Sequence, residues 1–140
     1  MDIQKEILDK LTECGVKPSP QRMAILQFLV MHPVHPTVEF VYNSLSPKMP
    51  TLSKTTVYNT LKLLSEHRAI QTLAIDEKNI RYDATTMVHA HFHCKGCGKV
   101  YDLHVKGLNG LEVSNPLFKV TDCQIYYKGL CEECNNEVIN

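Results

Sequence analysis

Two cysteine pairs carry the sharpest chemical signal in the chain: Cys94-Lys95-Gly96-Cys97 and Cys131-Glu132-Glu133-Cys134. Two intervening residues let both sulfurs of a pair reach one ion from a tight turn, and Gly96 and Gly98 permit the backbone bend. Four thiolates in a tetrahedron form a closed zinc site, so structural Zn(II), without catalysis, is expected at Cys94, Cys97, Cys131 and Cys134. Redox-active or disulfide-bonded pairs are the competing reading. Six cysteines in 140 residues are too few for a small disulfide scaffold. Cys14 and Cys123 lie outside the pattern and are expected to be buried thiols packed as small hydrophobes.

A second cluster offers nitrogen and oxygen. His89-Ala90-His91 places two imidazoles on one face of a strand, because side chains alternate, and Asp83 and Asp102 bracket them in sequence. Such a donor mixture suits Fe(II) or Mn(II) better than a thiolate site does. The plainer alternatives are aspartates that cap turns and histidines that are simply exposed. His93 remains unassigned beside Cys94, and the sequence names no partner for His32, His67 or His104.

Four short helices precede these clusters. Ile3, Ile7, Leu8 and Leu11 recur at helical spacing and stop at Cys14-Gly15; Ser19-Pro20 opens a second helix that ends before Pro33. Thr37 can cap a third, closed by Pro47 and Pro50, and Ser53 a fourth running to about His67. Residues 69–75, the polar turn 76–79 and residues 80–83 fit a hairpin. Helices followed by a hairpin make a winged helix-turn-helix. On the fourth helix Val57, Leu61 and Leu64 share one face, Thr55, Asn59 and Lys62 the other, with Lys54 and Tyr58 on the flank. One face can pack while the other meets DNA bases and phosphates; an ordinary amphipathic surface helix would show the same wheel.

From His89 the sequence turns to cysteine, histidine and β-like runs (Lys99 to Leu103, Phe118 to Tyr127), with one expected helix from Val105 to about Val113. The expected class is α+β, a winged-helix domain over 1–83 and a small α/β domain over 84–140. At 44% hydrophobic and 21% charged residues, disorder and coiled coil are poor readings. Nowhere do about 18 apolar residues run together, and the opening residues lack a basic stretch with an apolar one behind it, so a cytoplasmic protein with no membrane partner is expected. Charge is balanced: 10 basic against 9 acidic residues through Asp83 (+1), then 5 against 6 (−1). Nucleic-acid binding would therefore need placed contacts and no broad basic surface.

Gly15-Val16-Lys17 through Pro20-Gln21-Arg22, His35-Pro36-Thr37, Thr55-Thr56-Val57-Tyr58-Asn59, Arg81-Tyr82-Asp83, His89-x-His91-x-x-Cys94-x-x-Cys97-Gly98-Lys99 and Cys131-x-x-Cys134 stand in the order and spacing of one family. The chain resembles the ferric uptake regulator (Fur) superfamily, over nearly its whole length. The resemblance implies a DNA-binding winged helix, a C-terminal dimerisation domain, a homodimer on a pseudo-palindromic double-stranded operator, and metal-dependent repression. It is most similar to the peroxide-stress branch. That branch's regulatory site implies His35, Asp83, His89, His91 and Asp102 as ligands, and oxidation of His35 or His89 as the sensing event. Iron-sensing relatives commonly carry glutamates at the places of Asp83 and Asp102, and Ala90, Cys123 and Asn59 depart from them too.

On the helical wheel the expected DNA contacts are Lys54, Thr55, Tyr58, Asn59 and Lys62, and the donor chemistry makes Fe(II) or Mn(II) the expected regulatory ion. Within the superfamily, an iron-responsive or other metal-responsive repressor is the alternative. From other classes, a non-haem Fe(II) enzyme would need a cosubstrate site that the sequence does not offer, and a zinc-stabilised interaction module would be indifferent to loss of His89 or Asp102.

Overall fold

The computed structural model describes residues 2–76, 78–85, 89–103, 114–119 and 123–139. The chain divides into two compact units, Met1–Thr86 and Met87–Asn140.

In the first unit each helix begins where a short polar side chain can take an orphan amide. Asp2 accepts from Gln4 N to start α1 (Ile3–Glu13), and Ser19 accepts from Arg22 N to start α2 (Pro20–Met31). Thr37 caps α3 (Val38–Leu45), and Ser53 caps α4 (Lys54–Glu66). Their apolar faces meet in one core built from Ile7 and Leu11 of α1, Ile25, Leu26 and Leu29 of α2, Val41 of α3 and Val57, Leu61 and Leu64 of α4. Full burial of each such side chain is worth about 1.5–3 kcal/mol. Strands β1 (Gln71–Leu73) and β2 (Arg81–Asp83) then pair antiparallel, Thr72 opposite Tyr82, as the wing. The buried Tyr82 joins this wing to the helical core.

Two helices end alike with different residues. After α1, Gly15 N–H bonds Thr12 O and Val16 N–H bonds Leu11 O, with Gly15 at φ 77°. After α4, Arg68 N–H bonds Ser65 O and Ala69 N–H bonds Leu64 O, yet Arg68 holds φ 61° with a Cβ in place. Left-handed backbone costs a non-glycine residue about 1–2 kcal/mol, partly offset by the roughly 0.5–1 kcal/mol that glycine loses in chain entropy. The backbone alone therefore favours glycine at this position by about 0.5–1 kcal/mol, and Arg68→Gly is expected to melt a few degrees above Arg68→Ala, which loses the same side chain beyond Cβ. A midpoint equal to or below that of Arg68→Ala contradicts this account.

The second unit is a three-stranded sheet in the order β4-β3-β5, where β3 is Ala90–Cys94, β4 Val100–Leu103 and β5 Ile125–Gly129. β3 runs antiparallel to β4, with His91 opposite Asp102, and parallel to β5, with Cys94 opposite Gly129. A helix, α5 (Glu132–Ile139), follows β5. The expected run from Phe118 to Tyr127 is corrected: pairing with β3 begins at Ile125, and Phe118 lies in a turn, its amide on Asn115 O, with 69% of its surface exposed. Pro116, two residues earlier, has no N–H for a ladder. The expected helix at Val105 to Val113 falls outside the described residues.

Candidate metal centres and reading face

Cys94 ends β3, and the chain turns there through residues 95–97 so that Gly98 N–H reaches Cys94 O at 2.9 Å. Cys131 leads into α5 and Cys134 lies in its first turn. One ligand atom from each of the four cysteines falls within 4.8 Å of the others, and Cys97 Sγ stands 3.9 Å from Cys131 Sγ. Zn–S bonds of about 2.3 Å in a tetrahedron put sulfurs about 3.8 Å apart, so the four cysteines fit zinc. Gly96 has no room for a side chain, since a Cβ there would meet Cys134 Sγ at 2.8 Å.

The amides prepare the sulfurs. Cys94 Sγ accepts from Cys131 N at 3.3 Å and Cys97 N at 3.4 Å, and these bonds draw its pKa down to about 5. The amide of Cys134 likewise lowers Cys131. Cys134 is pushed up to about 12, chiefly by sharing a proton with Cys94 and then with Cys131. Four sulfurs this close cannot all ionise unaided; a dication would remove that conflict. Tyr101, on β4, is hydrogen-bonded to Cys131, which raises its own pKa. The sequence singled out neither Tyr101 nor the spatial need for Gly96, because neither follows from ligand spacing.

Nitrogen and oxygen donors also meet within each unit. In the first, buried His35 holds Nε2 3.5 Å from Oδ2 of buried Asp83, whose Oδ1 accepts from Thr85 N at 2.9 Å. His35 sits at φ 55°, a left-handed conformation that residues with a Cβ rarely adopt. Lys10 of α1 donates to Ala84 O at 3.0 Å, beside the end of β2. Its pKa is lowered by burial, against the opposing pull of Cys14 and Asp83.

In the second unit, the strand register sets His91 and Asp102 side by side. Asp102 Oδ1 lies 2.9 Å from His89 Nε2 and 3.4 Å from His91 Nε2, and the two rings are 4.3 Å apart. Imidazoles with a carboxylate are the donor set that Fe(II) or Mn(II) accepts. His32 and His67 use Nδ1 on carbonyls of their own unit, Phe28 O and Cys14 O, each at 3.0 Å. Cys14 and Cys123 are half-buried, where full burial was expected, Cys14 packing at the edge of the helical core.

On α4, Val57, Leu61 and Leu64 are fully buried, and Lys54, Thr55, Tyr58, Asn59 and Lys62 are all exposed. Beside them runs a groove lined by Lys17, Ser19, Gln21, Arg22, Thr56 and Asn59, its rim fixed by Arg22 Nη1 donating to Lys17 O at 2.7 Å. No described helix is long and apolar enough to cross a membrane.

A winged helix followed by a sheet with a four-cysteine site, and imidazole–carboxylate pairs in both units, defines a class of metal-responsive regulators. The model of the ferric uptake regulator family matches residues 13–128, and the chain belongs to that family. It is similar to the peroxide operon regulator of Bacillus subtilis (strain 168), 38% identical over 136 residues that cover 95% of this chain and 94% of that one. Its structure is similar to that of PerR from Streptococcus pyogenes, solved as a structural basis for peroxide sensing and gene regulation, at 26% identity and a TM-score of 0.54 over 96% of this chain and 94% of that one. The fold also matches the ferric uptake regulator of Helicobacter pylori, TM-score 0.71 at 22% identity, over 94% and 93% of the two chains.

Proposed function

We propose that this protein is a dimeric, metal-dependent repressor that senses hydrogen peroxide. The observation that supports it best is the pairing of imidazoles with carboxylates, His35 with Asp83 and His89 and His91 with Asp102, in a chain so similar to a peroxide operon regulator. On this reading those five side chains hold one regulatory Fe(II) or Mn(II), and the four cysteines hold structural Zn(II). Lys54, Thr55, Tyr58, Asn59 and Lys62 read a pseudo-palindromic operator, one α4 from each protomer of a homodimer per half-site. Residues from both units then restrain the reading unit relative to the dimerising one. If the DNA-competent arrangement binds the ion about 100-fold better, occupancy shifts that equilibrium by about 2.7 kcal/mol, enough to switch repression.

Bound Fe(II) would supply the redox chemistry by which one peroxide oxygen is added at a ring carbon of a coordinating histidine while the other leaves as water. His35 and His89 are the rings we assign to that reaction. An oxidised imidazole has lost its donor geometry, the five-residue set is broken, and the operator is released. A non-catalytic, intracellular role follows from the same reading.

The test is a mobility-shift series on operator DNA with Fe(II) or Mn(II), each with and without peroxide, alongside mass spectrometry of the treated protein. Binding lost only with iron plus peroxide, with added oxygen on the His35 or His89 peptide, is expected. Retained binding with unmodified histidines would instead indicate an iron-responsive repressor.

A further inference from the structure

We propose that Arg81 is a positioning residue for His35: with Asp76 it forms a clamp that holds the histidine's left-handed backbone, and so its imidazole, in place to serve as a ligand. The inference rests on the functional reading above for what His35 does, and on the geometry of the first unit for how it is held.

At φ 55° the His35 peptide is turned away from the direction an ordinary extended residue would give it. Its carbonyl accepts from Arg81 Nη1 at 3.1 Å. The other edge of the same guanidinium is spent on Asp76: Nε and Nη2 each lie 3.2 Å from Asp76 Oδ2. Asp76 is itself fixed, because its Oδ1 accepts from Lys78 N at 3.0 Å across the wing turn. The side chains of Arg81 and Asp76 are only 19% and 12% exposed, so this is no loosely solvated surface pair.

Three consecutive residues of β2 thus engage two consecutive residues of the His-Pro segment. Arg81 takes His35 O, the amide of Tyr82 donates to Pro36 O at 3.0 Å, and Asp83 faces His35 Nε2 at 3.5 Å. Side chains alternate along a strand, so Arg81 and Asp83 both turn toward His35 while Tyr82 enters the core. A planar fork is required, since one group must donate in two directions at once; lysine, a point donor on a flexible stem, cannot replace it.

The experiment uses the full-length, zinc-loaded protein with Arg81→Lys, Arg81→Gln and Asp76→Asn, and a stability control, Leu45→Ala, at the edge of the same core. Two quantities are read: the Mn(II) dissociation constant, and the ratio of oxygen added to His35 over His89 after iron and peroxide. Both Arg81 variants are expected to weaken Mn(II) binding by about 10–100-fold, the range for losing a group that orients a metal ligand. They should also lower the His35-to-His89 ratio; Asp76→Asn should move both quantities the same way, and Leu45→Ala neither. Lysine should fail to rescue. The clamp is refuted if Mn(II) affinity stays within about twofold of the parent, or if Leu45→Ala shifts the ratio as far as the Arg81 variants do. A parent protein that takes up no oxygen would overturn the peroxide reading alone, and Mn(II) affinity would still decide the clamp. Should the Arg81 variants not fold, Asp76→Asn decides it, because it removes the anchor without touching His35.

Discussion

Stripping zinc from the four cysteines, by chelation or by Cys94→Ser, is expected to abolish cooperative unfolding of the C-terminal unit while leaving the helical unit folded. The reason lies in where the apolar burial is. Among the described residues, only Ala90, Cys94 and Val100 are buried apolar side chains of the second unit, against an extensive core in the first. Burial this sparse among the described residues does little to offset the chain entropy of the sheet and helix they form, which is about 1–2 kcal/mol per residue. Structural zinc binding, about 10–16 kcal/mol in small zinc modules, has the right size to supply the difference. Cys94 is the most damaging position, because its sulfur also accepts the amides of Cys97 and Cys131. Far-ultraviolet circular dichroism with a zinc count per chain measures this. An unchanged melt in demonstrably zinc-free protein would sink the structural assignment, and loss of all four free thiols without metal would favour the disulfide reading.

The second large effect is expected at Asp102→Asn. Asp102 Oδ1 stands within reach of both His89 and His91, so replacing the carboxylate removes one anionic donor and the group that gathers the two rings. We expect Mn(II) to bind about 100-fold more weakly, or about 2.7 kcal/mol, with a matching rise in the Mn(II) needed for operator binding. Zinc content and fold should be unaffected, since the Asp102 side chain is 48% exposed and takes no part in the core. Calorimetric titration of zinc-loaded protein decides the matter. Wild-type affinity in this variant would remove Asp102 from the proposed ligand set.

Much of this architecture is written locally. Ser19, Thr37 and Ser53 stand as caps at the helix starts the sequence suggests, and the α4 wheel separates Val57, Leu61 and Leu64 from the exposed polar face. The alternation that puts His89 and His91 together is a strand's period, legible without a fold. What could not be read depends on partners distant in the chain. The position of β5 is set by pairing with β3, which favours Ile125–Gly129 over the aromatic stretch starting at Phe118. Helix α5 is short, opens on two glutamates and carries little apolar periodicity, so Cys131 and Cys134 looked like a bare turn. His35 belongs to no spacing pattern; only the family resemblance marked it, and its left-handed backbone emerges from three neighbours on β2. Arg81 stood in a quoted motif without a role, because its two acceptors, Asp76 Oδ2 and His35 O, lie in separate segments.

The parallel pairing of β3 with β5 bears on how the protein is born. During synthesis β3 and its antiparallel neighbour β4 leave the ribosome well before β5, and the sulfurs of Cys97 and Cys131 are 34 residues apart. Until the later segment arrives, one edge of β3 has its amides and carbonyls bare, an invitation to strands of other nascent chains. If the four cysteines take zinc as proposed, metal supply during those moments would bear on yield, with newly made copies more exposed to aggregation than mature ones.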